Sequence, residues 1–430
     1  MIHELETTGY RLLDGFKADF GQMTVIIGAN ATGKSSLLEC LNVLAWSVDY
    51  PLENVFGGRL GITSLLNASS QAKQLKWKLT FSIPEKVKAR HATADESGHK
   101  YVYEVKLSND LYGQPVPEYE CLRKAEPHKG DTSPLILLEA TPNHSKIYNH
   151  KQRKLVPFDE AVPPAKNGGQ PPQTPAEDQQ AEPPRPVGRP LRLGQMRFLN
   201  EYPEPSQIRQ YLSWFAFYPG FDVTMRSPLR SKAAEIRPMT MLEPNGDNLG
   251  TVLHEMLTRS FYQDSAEELR EFVKLAYPSI ENIFAETTYG APPQVLVTIR
   301  EKGMRRPMQL WDLSDGMLRF LCLAAALLNP APPFVTFADE PEVGLHPRLL
   351  PIVGDMIKSA AEDRQVIVTT HSPDLLNRFD LNDVAVMVRE DSCVRWHRPS
   401  SRPSLRTLLE SVTGESLGDL HRSGELETVA

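Results

Sequence analysis

The sequence has little cysteine, and what it has is scattered. Cys40, Cys121, Cys322 and Cys393 are its only four, and no two form a CxxC pair. No zinc ribbon or disulfide framework can be read from that spacing, so a reducing compartment is expected. An excess of positive charge is also lacking: 47 Lys and Arg stand against 54 Asp and Glu, a net charge of −7. That excludes a globally basic nucleic-acid coat but leaves room for a local basic groove. No apolar run reaches the roughly 18–20 residues of a transmembrane helix, so no membrane partner is expected. The start, Met1-Ile2-His3-Glu4-Leu5-Glu6, has no basic stretch followed by an apolar one. No export signal is read there, and a cytoplasmic location is expected. There is no fixed-period repeat and no sustained heptad, which argues against a long coiled-coil arm. The 430 residues allow two or three domains and at least one full core.

Proline, by contrast, is plentiful and bunched: ten of the 34 residues in 157–190 are proline. Such a stretch buries too little apolar area to offset its ordering entropy and reads as a disordered or extended linker. Elsewhere strands and helices alternate, which points to an α/β fold. Residues 1–48 read as strand, turn, strand, Gly-rich loop and helix, with Met23–Ile27 the second strand and Ser35–Val48 the helix. Leu75–Ile83 and Tyr101–Leu107 alternate as antiparallel strands. Tyr211–Tyr218 is aromatic-rich, and Thr251–Ala276 is patterned as a helix. Gln294–Arg300 reads as a strand before a turn at Lys302-Gly303. Then follow helix Leu313–Leu328, strand Phe334–Ala338, helix Leu349–Glu362, strand Gln365–Thr370 and a hairpin of Asp383–Val388 with Val394–His397.

Gly28-Ala29-Asn30-Ala31-Thr32-Gly33-Lys34-Ser35 fits G-x-x-x-x-G-K-[ST] in full, after an apolar strand and before a helix. The two glycines let successive backbone N–H groups face a phosphate, and the helix N-terminus favours the anion. Lys34 is expected to reach the β- and γ-phosphates. Ser35 is expected to ligate Mg²⁺, which prefers hard oxygen donors, with Ser36 beside it in the phosphate cradle. Downstream, Phe334–Ala338 ends in Asp339-Glu340. A strand end beside a phosphate loop is where a metal-binding acid belongs. Asp339 is the candidate for the metal and Glu340 the candidate base for the attacking water. Val366–Thr370 ends in His371, placed to hydrogen-bond the γ-phosphate or that water. Leu313-Ser314-Asp315-Gly316 opens a helix, and Ser314 and Gly316 sit where a helix N-terminus receives an anion.

Phosphate loop, LSDG, apolar-DE and apolar-TTH, in that order, resemble the compact SMC/RecF/OLD-like ABC-type ATPases. The strings GANATGKSSLLECLNVL, LSDGMLRFLCLAAALL, PFVTFADEPEVGLHP and QVIVTTHSPDLL carry the resemblance over about 20–50 and 310–375. Trp214–Tyr218, Asn245–Leu249 and Leu417–Leu420 extend it. The resemblance implies an ABC-type ATPase head with a mixed central sheet, an antiparallel β subdomain and a helical subdomain, using ATP and Mg²⁺. It divides the chain into an N-terminal part of the head (1–156), the Pro-rich linker (157–198), a helical and β insert (199–308) and a C-terminal part of the head (309–430). It also implies a homodimer in which two heads sandwich two ATP molecules. Ser314 and Gly316 of one copy would then act on the γ-phosphate held by Lys34 of the other. Gly344-Leu345-His346-Pro347 falls at the D-loop, His371 at the switch histidine, and Arg11 matches a basic residue near the nucleotide in some relatives.

The pattern departs from the membrane-transporter LSGGQ at LSDG, and the Q-loop glutamine is left open among Gln71, Gln74 and Gln114. Only 59 residues follow His371, too few for a Toprim nuclease domain, so none is expected in this chain. His91, His99, His128, His144 and His150 are irregularly spaced and read as solvated loop histidines. Lys146, Lys151, Arg153 and Lys154 form one basic run, and Arg185, Arg189, Arg192 and Arg197 a second; each reads as a solvated flank or a DNA-backbone contact. The role expected is a dimeric switch ATPase of anti-phage defence that controls a separate effector nuclease or toxin. A RecF-like role in DNA repair or chromosome maintenance is the alternative, with a transporter subunit behind it.

Overall fold

The computed structural model describes residues 1–56, 61–68, 72–84, 99–111, 113–127, 132–161, 191–196, 202–231, 234–235, 241–288, 293–390, 393–409 and 416–428. Residues 162–190, the bulk of the expected Pro-rich linker, lie outside the described residues, as does Gln71.

Three strands open the chain, Ile2–Thr8 (β1), Phe16–Asp19 (β2) and Met23–Ile27 (β3), before the helix Lys34–Asp49. The pattern reading expected two strands there. A turn at Gly21, whose N–H donates to Thr24 Oγ1, separates β2 from β3 and sends them into different sheets. Leu75–Ser82 (β4), Lys100–Asn109 (β5), Pro115–Lys124 (β6), Ile136–Ala140 (β7), Ser145–Asn149 (β8) and Lys154–Pro157 (β9) follow. They join β1 and β2 in an eight-stranded antiparallel sheet of order β2-β1-β4-β5-β6-β7-β8-β9. Trp77 opposite Val105, Leu79 opposite Tyr103 and Phe81 opposite Tyr101 are buried cross-strand pairs that hold its register.

The second sheet holds β3 at its centre. Phe215–Tyr218 (β10), Val335–Asp339 (β15), Gln365–Thr369 (β16), Val384–Glu390 (β17) and Cys393–His397 (β18) complete the order β10-β15-β16-β3-β17-β18. All its pairings are parallel except the β17–β18 hairpin. Strand β10 comes from the segment expected to be an insert, yet it forms one edge of this sheet. Ile26, Phe337 and Ile367 pack into one hydrophobic cluster, while Val25, Ile27, Ala338, Val366 and Val368 pack into the other. Both faces of these strands are covered, which is why they read as unbroken apolar runs.

A third, smaller sheet joins Ala234–Glu235 (β11), Ile280–Thr288 (β12), Gln294–Glu301 (β13) and Met308–Gln309 (β14). The helices Leu249–Thr258, Gln263–Ala276, Asp315–Leu327 and Leu350–Asp363 pack around it and against the central sheet. The single helix expected over Thr251–Ala276 is two. Thr258 Oγ1 donates back to His254 O, Arg259 turns extended, and the chain restarts at Gln263. No helix among the described residues is long and apolar enough to cross a membrane.

Candidate functional site

The order β15-β16-β3 places three parallel strand ends side by side. The loop after β3 carries the glycines, β15 ends in Asp339-Glu340, and β16 runs into Thr370-His371. In register, Asp339 is opposite Thr369 and Thr369 opposite Ile26. The carboxyl ends of adjoining parallel strands are where such sheets bind ligands.

The loop needs unusual backbone. Gly28 has φ 148°, Ala31 φ 62° and Gly33 φ 95°. A Cβ on Gly28 would lie 2.3 Å from Met387 O of β17, so no other residue fits there. Thr32 Oγ1 donates to Ala29 O at 2.9 Å and closes the turn across Asn30. Gly33 begins the helix with no side-chain cap, and no acid occupies the first turn. The first N–H groups, of Lys34, Ser35 and Ser36, are therefore left to an anion. Lys34 is 5 % exposed, and its Nζ donates to Gly28 O (2.9 Å) and Ala29 O (3.1 Å). Burial lowers the Lys34 pKa, while Glu340, Asp339, Glu342 and Glu427 oppose that shift.

The acids are tied to the neighbouring strand by one hydroxyl. Thr369 Oγ1 donates to Asp339 Oδ1 (2.5 Å) and accepts from Glu340 N (3.0 Å). Glu340 sits at φ 48°, in the left-handed region that non-glycine residues seldom adopt. Its Oε1 is 3.5 Å from His371 Nε2. Burial and the Lys34 charge lower the His371 pKa below 6.5, with Glu340 partly offsetting them. The shift favours the neutral ring, which carries one N–H donor. A pocket of about 470 Å³ brings Ser35, Asp339 and Glu340 together with Asp222 and Arg319. A hydroxyl and a carboxylate, both hard oxygen donors, suit Mg²⁺.

Sequence reasoning missed several groups. Glu342 Oε1 accepts from Thr370 Oγ1 (2.7 Å), His371 N (2.8 Å) and Ser372 N (3.2 Å), and so fixes the segment Thr370–Ser372 to the loop after β15. The signal was the second glutamate of Asp339-Glu340-Pro341-Glu342. The loop Pro219–Asp222, directly after β10, lines the pocket, whereas Gln74 and Gln114 belong to the antiparallel sheet region and do not. Asp222, not a glutamine, is the polar side chain that loop brings. From the C-terminal segment, His421 Nδ1 lies 2.5 Å from Glu427 Oε1, and the Glu427 carboxylate is one of those that oppose the fall in the Lys34 pKa.

The remaining predicted residues lie apart. Ser314 caps the helix Asp315–Leu327 by accepting from Met317 N, and a Cβ on Gly316 would lie 3.4 Å from Gly344 O. Neither Ser314 nor Gly316 lines the pocket, although Arg319 and Leu323 further along the same helix do. Arg11 forms a two-point ion pair with Glu39 of the phosphate-loop helix, at 2.9 and 3.3 Å. His150, expected to be a solvated loop residue, instead lies 3.3 Å from the buried carboxylate of Glu204, which also takes Lys124 and Tyr101. Arg192 lies over the Phe158 ring, and Lys146, Lys151, Arg153 and Lys154 are exposed on the β8–β9 hairpin.

Two family descriptions match this chain. "AAA ATPase domain" covers residues 1–153, and "AAA domain, putative AbiEii toxin, Type IV TA system" covers 194–377. Between them they take in the phosphate loop, LSDG, Asp339-Glu340 and His371. Both are descriptions of AAA ATPase domains, one over each part of the chain, and the chain is an ATPase. The fold of this ATPase is similar to that of SMC heads at low identity. An SMC head bound to the C-winged-helix domain of ScpA matches with TM-score 0.51 and 12 % identity, over 92 % of this chain and 97 % of that one. A Pyrococcus furiosus SMC head with an extended coiled coil, bound to the C-terminal domain of ScpA, matches with TM-score 0.50 and 11 % identity, over 95 % and 98 %. No curated protein matches the ATPase.

Proposed function

We propose that the chain is a dimeric switch ATPase that senses and scaffolds in a prokaryotic anti-phage defence system, controlling a separate effector nuclease or toxin in the cytoplasm. The observation that carries the defence role is the match of residues 194–377 to the family described by the AbiEii toxin and type IV toxin–antitoxin systems. The residue roles are proposed from the glycine loop, the strand ends and the chemistry of their side chains. The N–H groups of the Gly28–Gly33 loop and of Ser35 and Ser36 cradle the phosphates, and Lys34 reaches their outer oxygens. Ser35 and Asp339 hold Mg²⁺, which when bound neutralises phosphate charge and orients the transferred group. Glu340 orients the attacking water and takes its proton. His371 donates its ring N–H toward the γ-phosphate, and Glu342 holds that residue's backbone. In a second copy, Ser314 and Gly316 close the phosphate site. ATP thus selects a closed pair of heads, and hydrolysis releases it.

The test is a pulldown of tagged protein from its native host with ATP and Mg²⁺, comparing wild type with Glu340→Gln. A nuclease or toxin-like protein held preferentially by one form is the expected result. Recovery of DNA and repair factors, with no dedicated effector, would instead establish the RecF-like maintenance role. The exposed basic β8–β9 hairpin favours that second reading, because it offers a cluster of cations to a DNA backbone.

A further inference from the structure

The third residue of LSDG has no part in the phosphate chemistry above, yet it is not idle. Asp315 Oδ1 accepts from Arg230 NH2 at 2.5 Å. Arg230 lies in the short helix Pro228–Ser231 and is 8 % exposed. Its other donors go to backbone carbonyls: Nε to Val223 O (2.8 Å), and NH1 to Leu313 O (2.7 Å) and Trp311 O (3.4 Å). One guanidinium therefore spans two segments. The first is the loop after β10, where Asp222 faces the pocket and Asp222 Oδ1 accepts from Thr224 N to fix the turn around Val223. The second is the run into the helix that presents Ser314 and Gly316. The planar fork of Arg matches this set of acceptors, and a Lys ammonium does not.

We propose that Arg230 is a positioning residue that ties the pocket-lining loop of one ATP site to the signature motif that completes the other. Asp315 is its anchor, which accounts for an acid where the transporter motif has glycine. The proposal rests on the two-head sandwich put forward above. Under it, a shift of loop 219–223 when nucleotide enters the pocket moves Leu313 and Asp315, and with them Ser314 and Gly316. Each site then reports, through its own chain's signature motif, to the ATP site of the partner. The two ATP sites of the dimer are coupled.

The experiment uses the full chain as Asp315→Asn, Asp315→Gly, Arg230→Lys and the double variant Arg230→Gln/Asp315→Asn. Asp315 is 72 % exposed but its partner Arg230 is buried, so a thermal melt checks that the variants are folded before their activities are compared. Fluorescent ATP-analogue binding, ATP-driven dimerisation and the ATP dependence of hydrolysis are measured on each. The expected result is unchanged binding of the analogue to the single chain, with dimerisation and kcat down about tenfold and the Hill coefficient falling toward 1. Arg230→Lys does not rescue, and the double variant is no worse than the more damaging single one, as for residues acting as a unit. Folded Asp315 variants with wild-type dimerisation and kcat overturn the proposal, as does a wild-type rate from Arg230→Lys. A wild type that stays monomeric with ATP overturns the sandwich reading as well, which separates the two failures.

Discussion

Thr369 shows how much of the site hangs on one side chain. Its hydroxyl receives the Glu340 N–H and donates to Asp339, so it sets both acids at once. Thr369→Val removes the oxygen and keeps the shape. It leaves Glu340 N with only its longer bond to Thr369 O (3.2 Å). We expect kcat to fall by roughly ten- to a hundredfold, corresponding to about 1–3 kcal/mol for an unmade hydrogen bond, with a near-normal melting temperature; steady-state hydrolysis and a thermal melt check this. His371 sets the pH response. Its pKa is lowered below 6.5 by burial and by Lys34, so the neutral ring persists through neutral pH and protonates only on the acid side. The rate should be flat from pH 8 down to about 6.5 and fall below that, with His371→Gln losing this limb. For stability the sign is the same: the unfolded chain takes up the His371 proton first, so folded stability declines as pH drops below about 6.5. A rate that rises on acidification would contradict both statements. Gly28 allows no side chain at all. Gly28→Ala drives a Cβ into Met387 O, and a loss of about 1–3 kcal/mol together with lost nucleotide binding is expected from denaturant titration and analogue binding.

At the scale of elements, the parts of the site that lie on buried strands and one glycine loop were readable in advance, because a strand covered on both faces is an unbroken apolar run. Met23–Ile27, Phe334–Ala338 and Val366–Thr370 are such runs, and each ends in the residues that matter. The antiparallel sheet was readable only at β4 and β5, where buried residues alternate with less buried ones along Leu75–Ser82 and from Tyr103 to Ser108. Strand β6 begins Pro115-Val116-Pro117-Glu118, which carries none of that pattern, and its place is set by pairing with β5 and β7. The pocket-lining loop Pro219–Asp222 was not readable either, since it is defined by β10 lying beside β15 and not by a glutamine. The C-terminal helix Leu417–Ser423 is a similar case. It packs on the short helix Pro373–Leu376 that directly follows His371, through Gly418 N donating to Asn377 Oδ1 and Arg422 pairing with Asp374. A Cβ on Gly418 would fall 2.6 Å from Pro373 O. Gly418→Val should lift this helix away, lowering the rate of hydrolysis more than the affinity for ATP. Equal loss of both would show that the helix serves stability alone.

For the whole molecule, the geometry within one chain is incomplete in a specific way. Ser35, Asp339 and Glu340 line one pocket, while Ser314 and Gly316 sit at the far end of the helix whose later turns reach it. The start of that helix, at Ser314 and Asp315, is exposed and lies outside the pocket that Ser35, Asp339 and Glu340 line. In the proposed sandwich a second copy supplies an anion to that helix start, and two sites form between two chains. The most direct test is sedimentation of Glu340→Gln with ATP and Mg²⁺ beside Lys34→Ala under the same conditions. The account predicts that Glu340→Gln sediments as two chains with ATP and as one without, and that Lys34→Ala remains single throughout. A Glu340→Gln chain that binds ATP and still sediments as one would contradict it.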